Sequence, residues 1–215
     1  MISIGSEGVW SAIPTPFDES MHLDVNSVIR MVDHHIDCGV KGLFLGGTCG
    51  EGLWMRRKDL FRLTCAAVDS SMGRLKIAVQ VTDTSAPRII ENMEMISEAG
   101  ADIAVIAPPL DNGGHDEKTL RSTYMQAIEH SPISVGIYDR GKYGSPQIPI
   151  SVLKEAYRHP KVVMVKDSST DKDHMQIALE ARQERPELRL LTGYEFGCVE
   201  YLQAGYDGLL LGGGV

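Results

Sequence analysis

Eight short apolar runs alternate with longer segments of helical period, the runs read as continuous hydrophobic stretches (VVMV, IAVIA, GLLLG), and no long linker divides the 215 residues. Continuous apolar strands are what helices covering both faces of a parallel sheet require. Together these observations predict an α/β chain folded as a single domain over residues 1–215, a (β/α)8 TIM barrel. A doubly wound open sheet is the alternative, but it calls for a Gly-rich phosphate loop after an early strand.

The elements follow in order. The first strand is expected at Val9–Pro14, and a helix from Val25 to Cys38 carries Val28, Ile29, Val32 and Ile36 at helical spacing before stopping at Gly39. Gly42–Leu45 is the second strand, followed by a helix over Lys58–Ser70. Lys76–Val81 leads to a helix over Ala86–Ala99, closed by Gly100. Ile103–Ala107 precedes a helix over Glu117–Glu129, and Ile133–Tyr138 precedes one over Ser151–Tyr157. Val162–Lys166 is followed by Asp173–Gln183, and Arg189–Thr192 by Phe196–Ala204, which Gly205 ends. Gly208–Leu211 is the eighth strand, and the register reaches Val215 with no eighth helix after it. A barrel of this type usually takes about 250 residues. The chain is therefore expected to be C-terminally incomplete relative to a finished barrel, because uncovered strand surface is costly.

Composition narrows the functional classes. Twenty-one basic against twenty-nine acidic residues leave a net charge of −8, which disfavours a nucleic-acid partner. The tightest basic cluster, Arg56-Arg57-Lys58, reads as a solvated helix start. Met1–Glu7 lacks the basic and apolar regions of a secretory signal, and no apolar run is long enough for a bilayer, so no membrane partner is expected. Cys38, Cys49, Cys65 and Cys198 form no CxxC pair, so neither a metal site nor a disulfide framework is expected, and a reducing cytoplasm fits. His34 and His35 are adjacent, so on a helix they point to different faces and cannot share a metal.

In a barrel of this type the chemistry sits at the C-terminal strand ends. Lys166 ends an apolar strand, where desolvation would lower its pKa and leave a nucleophilic amine. A lysine snorkelling into solvent is the other reading. Gly46–Gly52 (GGTCGEG) offers backbone N–H groups beside a helix start, suited to a carboxylate or phosphate, or else a turn needing glycine dihedrals. Tyr138 is either a proton shuttle or a core tyrosine with a satisfied hydroxyl. Cys49 is a nucleophile or a small packing residue, and Gly212-Gly213-Gly214 a strand-eight phosphate site or room where the barrel closes.

Taken in sequence, these pieces resemble the dihydrodipicolinate synthase / N-acetylneuraminate lyase family of class I Schiff-base (β/α)8 aldolases and lyases. Gly8-Val9, Ala12 and Thr15-Pro16-Phe17 resemble its opening strand, and Gly47-Thr48-Cys49-Gly50-Glu51 its Gly-(Thr/Ser)-Thr-Gly-Glu carboxylate loop. Tyr138-Asp139 resembles Tyr-Asn, Val165-Lys166-Asp167 the element holding the Schiff-base lysine, and Gly193 lies where the family has Ser-Gly-Asp. The resemblance implies that Lys166, Tyr138 and Thr48 are catalytic, and that Gly47, Cys49, Arg140, Lys142 and Gly193 bind substrate. It implies no cofactor and no metal, a small-molecule 2-oxo acid as partner, and a homotetramer or homodimer.

The implied activity makes or breaks the C3–C4 bond of pyruvate or a larger 2-oxo acid. Alternatives are a dehydratase on a sugar-derived 2-oxo-3-deoxy acid, a non-catalytic 2-oxo-acid-binding relative, and a phosphate-binding barrel enzyme. Several departures argue against a true dihydrodipicolinate synthase. Cys49 replaces the usual second Thr, Pro108 is followed by Pro109 and Leu110 where the synthase has a Tyr pair, and the loop after Tyr138 is one residue shorter. The synthase's distal arginine is thereby lost from its place, leaving Arg140 or Lys142 to meet a distal group of the substrate.

Overall fold

A computed structural model describes residues 8–109 and 116–212. Eight parallel strands close into one barrel in the order β1 to β8. The strands are β1 (Gly8–Ala12), β2 (Gly42–Leu45), β3 (Lys76–Gln80), β4 (Ile103–Ile106), β5 (Ser134–Asp139), β6 (Val162–Asp167), β7 (Arg189–Thr192) and β8 (Gly208–Leu211). The helices between them are α1 (Val25–Asp37), α2 (Arg57–Ser71), α3 (Ala86–Glu98), α4 (Glu117–His130), α5 (Ile150–Arg158), α6 (Lys172–Glu184) and α7 (Cys198–Ala204).

The predicted (β/α)8 barrel is therefore the fold. The element edges fall within one or two residues of expectation, and four of the differences have a local reason. β1 ends at Ala12, two residues before Pro14, which has no N–H to give a ladder. β5 and β6 each run one residue further than expected, because Asp139 and Asp167 pair across them. α7 starts at Cys198, after a single 3₁₀ turn over Glu195–Gly197. Gly213 and Gly214, Leu110, and the Met1–Glu7 opening lie outside the described residues.

Strand alternation divides the core into two layers. Trp10, Phe44, Ala78, Val105, Tyr138, Met164, Leu191 and Leu210 fill the barrel. Their neighbours Leu43, Leu45, Val79, Ile106, Ile137, Val165 and Leu190 face outward, where Val28 and Val32 of α1, Leu63 of α2, Met93 of α3 and Val152 of α5 cover them. Each fully buried Val, Leu, Ile, Phe or Met side chain among these stabilises the fold by roughly 1.5–3 kcal/mol. Helix starts are fixed by side chains: Asp24 accepts from the Ser27 N–H at 3.1 Å and Asp116 from the Thr119 N–H at 2.8 Å. Arg56, Arg57 and Lys58 are exposed around the start of α2. Among the described residues, no helix is long and apolar enough to cross a membrane.

Closure of the ring brings Gly8 opposite Gly208. A methyl group at Gly208 would run into the Gly8 carbonyl oxygen. Gly208→Ala should therefore destabilise the seam by about 2 kcal/mol or more, read as a lower urea midpoint. Val9→Ala, at a side chain 45% exposed beside the same seam, should cost well under half of that. Equal midpoints for the two variants would show that the seam tolerates side chains.

Candidate active site

The shared register of β5 and β6 builds the centre of the site. Tyr138 pairs with Lys166, and Asp139 with Asp167. Because side chains alternate, Tyr138 and Lys166 point into the barrel mouth while the two aspartates point outward. The Lys166 Nζ lies 4.4 Å from the Tyr138 ring centroid and 4.8 Å from that of Phe44. Those two rings meet edge to face, 6.0 Å apart at 90°.

Lys166 is only 6% exposed, and that burial lowers its pKa from the ordinary value of 10.5 to about 8. The Arg140 charge acts in the same direction, while Cys49 and Glu195 oppose it. The facing rings favour an ammonium by up to about 2 kcal/mol. The lowered pKa corresponds to a net cost of charging of about 3 kcal/mol, so desolvation outweighs the ring contacts. At pH 7 roughly one-tenth of the amine is then neutral, several hundred-fold more than for a solvated lysine.

The loop after β2 folds back on itself. Gly46 has φ +62°, and Gly52 packs so tightly on the Gly46 carbonyl that a methyl group there has no room. The Glu51 N–H donates to the Thr48 carbonyl at 3.3 Å, and the Thr15 hydroxyl to the Gly50 carbonyl at 2.5 Å. Gly47 is buried, and Thr48 and Cys49 are exposed on the turn. Among the described residues, the N–H groups of Thr48 and Cys49 donate to no backbone carbonyl. The Cys49 thiol reaches across to the end of β8, where only the missing side chain of Gly212 leaves it space.

Arg140 is half-buried and close enough to lower the Lys166 pKa. Lys142 is exposed, its Nζ 5.3 Å from the Tyr143 ring centroid. Gly193 abuts the lysine itself: its N–H donates to the Asp167 carbonyl at 2.7 Å, and a methyl group there would lie 2.9 Å from Lys166 Cε and collide with the Ser168 hydroxyl. The structure thus gathers Lys166, Tyr138, Cys49, Arg140 and Gly193 around one mouth. Thr48 stands on its rim, and Lys142 turns to its own neighbour.

Sequence reasoning passed over Phe44 and gave Glu195 no role. Phe44 sits in the run Gly42–Leu45, whose residues are buried throughout, so no polar alternation marks which side faces inward. The rule that strand-end residues line the site marks Glu195 within Thr192-Gly193-Tyr194-Glu195, and the structure brings it close enough to act on the Lys166 charge. The sequence reading also gave no role to His174, which α6 brings against Asp139.

Comparison with known proteins gives a consistent picture. Residues 5–211 match the model of the dihydrodipicolinate synthetase family. A 4-hydroxy-tetrahydrodipicolinate synthase of Exiguobacterium is 27% identical over 164 residues, covering 76% of this chain and 56% of the relative. N-acetylneuraminate lyase 2 of Escherichia coli O6:H1 is 25% identical over 208 residues, covering 94% and 65%. The chain spans 56% to 66% of the length of the first three curated relatives it matches. Among solved structures, dihydrodipicolinate synthase from Bacteroides thetaiotaomicron superposes with a TM-score of 0.87 at 25% identity, covering 99% of this chain and 71% of that one. A prophage protein of the same family from E. coli K12, in complex with pyruvate, gives a TM-score of 0.86 at 22% identity, covering 95% and 69%.

Gly193→Ala should displace Lys166 while leaving the barrel folded. Acylation of Lys166 by a small reagent at pH 7 should change by roughly tenfold, with an unfolding midpoint close to the parent's. Unaltered Lys166 reactivity in this variant would show that the close approach does not fix the amine.

Proposed function

The chain belongs to the dihydrodipicolinate synthetase family, and from that premise we propose that it is a class I lyase or aldolase that forms an imine through Lys166. Its substrate is pyruvate or a larger 2-oxo acid, and the bond made or broken is C3–C4. The observation that carries this reading is the buried, inward-facing Lys166, poised near pKa 8 against Tyr138.

The neutral Lys166 amine attacks the C2 carbonyl carbon. The proton released from nitrogen moves to the former carbonyl oxygen, giving a carbinolamine. Loss of that hydroxyl as water, with a proton supplied through Tyr138, leaves a protonated imine. When C3–C4 breaks, Tyr138, left as the phenolate by the previous step, takes the proton of the C4 hydroxyl, which becomes the carbonyl of one product, and the bond's electron pair enters the iminium to form an enamine. Tyr138 returns that proton at C3, and water then adds to the resulting imine to release the 2-oxo acid and the free Lys166 amine; synthesis runs in reverse.

The unclaimed N–H groups of Thr48 and Cys49 hold the 1-carboxylate, and Gly47 lets the loop approach. Arg140 meets a distal carboxylate or hydroxyl. Its half-buried place near Lys166 favours it over Lys142 for this task. The pyruvate complex of the prophage protein supports pyruvate as the first substrate to test. Four free cysteines fit a reducing cytoplasmic setting, and family relationship favours a homodimer or homotetramer.

Borohydride reduction in the presence of pyruvate should leave a stable adduct on the Lys166 peptide, found by mass spectrometry. Lys166→Ala should abolish it; an adduct on another lysine, or none with the fold intact, would rule the mechanism out. The neutral amine is the attacking species, so the initial trapping rate should rise about tenfold per pH unit below pH 8 and level off above it. Tyr138→Phe should slow turnover by roughly 100-fold while Lys166 still accepts acyl reagents.

A further inference from the structure

Behind Tyr138 and Lys166, on the outer face of the sheet, lies a buried acidic pair that the proposed chemistry does not use. Asp139 and Asp167 stand opposite one another across β5 and β6, each only 1% exposed. Asp139 gathers three donors from three parts of the chain. The Gly141 N–H reaches it at 2.9 Å, the Tyr157 hydroxyl of α5 at 3.2 Å and His174 Nδ1 of α6 at 2.7 Å. Asp167 accepts from the Ser169 N–H at 2.8 Å and the Tyr206 hydroxyl at 2.7 Å.

Two carboxylates buried side by side repel one another, and burial together with Asp139 pushes the Asp167 carboxyl above its usual range. His174, 2% exposed, stands against this pair and brings compensating charge when its imidazole is protonated. The Asp139 hydrogen bond holds the imidazole above its usual range, with Asp171 and Asp167 adding to the effect against burial. The other titratable groups facing the cluster are Tyr124 from α4, Tyr157 from α5, Tyr201 from α7 and Tyr206 from the segment after it. Burial and the nearby carboxylates push all four phenols up, so they stay neutral. Because the folded-state pKa of His174 is raised, its charge is present at low pH and is lost as pH rises through that raised value.

This cluster is mechanically tied to the site. Gly141, held by Asp139, has φ +47° and lies flush against Ser169, leaving no space for a side chain. The turn that carries Arg140 is thus pinned by Asp139 from below and by the loop after β6 from the side. The same aspartate carboxylate ties β5 to α5 and α6 one residue after Tyr138.

We propose that Asp139 and His174 form a positioning pair: their contact behind the sheet fixes the end of β5, and with it Tyr138 beside Lys166 and Arg140 within reach of it. Its effect on trapping rests on the Schiff-base reading; its effect on Lys166 itself does not.

The test compares the full chain with His174→Asn, which keeps a donor but loses the charge, His174→Phe, which loses both, and Asp139→Asn. Without substrate, trace acetylation across pH reads the ionisation of Lys166 by peptide mass spectrometry. With pyruvate, borohydride trapping reads the maximal rate and the half-saturating concentration. His174→Phe and Asp139→Asn should move Lys166 ionisation by about half a pH unit or more, as the amine loses its packing. They should also cut the maximal trapping rate about tenfold, with half-saturation changed less than about threefold. The deficit of His174→Asn should be largest at the acidic end of the profile and shrink toward the parent as pH rises through the raised pKa of His174.

Parent-like values in all variants would overturn the proposal. So would a His174→Asn deficit of the same size at every pH, which would mean packing alone. If His174→Phe does not fold, judged by near-ultraviolet circular dichroism, the two asparagine variants decide. If the parent itself yields no trapped adduct, the imine mechanism falls. The acetylation arm still rules on the pair: unmoved Lys166 ionisation in Asp139→Asn overturns it.

Discussion

The backbone ladder between β5 and β6 sets Tyr138 opposite Lys166 and, one residue on, Asp139 opposite Asp167. The strand repeat of two residues then sorts these four side chains without further instruction. An amine and a phenol meet inside the barrel, and two carboxylates meet outside it. A slip of one residue in β6 would send Asp167 into the mouth and bury Lys166 under the helices, and the same slip in β5 would exchange Tyr138 for Asp139. Gly193 and Phe44 act on an arrangement this ladder has already made. Gly193 leaves room for the lysine stem, and Phe44 closes the second side of the amine.

The lysine is placed against the tendency of the rest of the core. Val165 and Met164 are stabilised by leaving water, whereas Lys166 must give up part of its charge to do so. The surrounding barrel over-determines the position: buried side chains on both faces of β6 lock the strand that carries it. Stability invested in the two apolar layers is what lets one strand end hold a group in a state that water would not favour.

Much of the fold could be read from the sequence because its signals are local. Apolar runs such as Gly208–Leu211, glycine stops such as Gly39, Gly100 and Gly205, and helical spacing in Val25–Asp37 each need only a few residues to be recognised. Lys166 could be picked out for the same reason, as a charge at the end of an apolar strand. What stayed hidden depends on the third dimension. Phe44 lies among neighbours that are equally buried, so its inward direction is not written in the polarity of β2. His174 meets Asp139 across 35 positions of chain, and its helix has polar residues enough that one more histidine carries no signal. Arg140 and Lys142 are two residues apart and chemically alike; the turn at Gly141 sends one toward the amine and the other to Tyr143.

The seam between Gly8 and Gly208 has a kinetic side as well. A ring of parallel strands has no edge only after its last pair forms, and here that pair joins positions near opposite ends of the described chain. Closing so long a loop is entropically slow, and until it happens β1 and β8 both offer unpaired backbone to any passing strand. The two glycines that make the seam tight also leave those edges without bulky or charged side chains at that point to repel strangers. The interval between synthesis of β1 and arrival of β8 is therefore when this protein is most exposed to mispairing, and chaperone dependence is most naturally sought there.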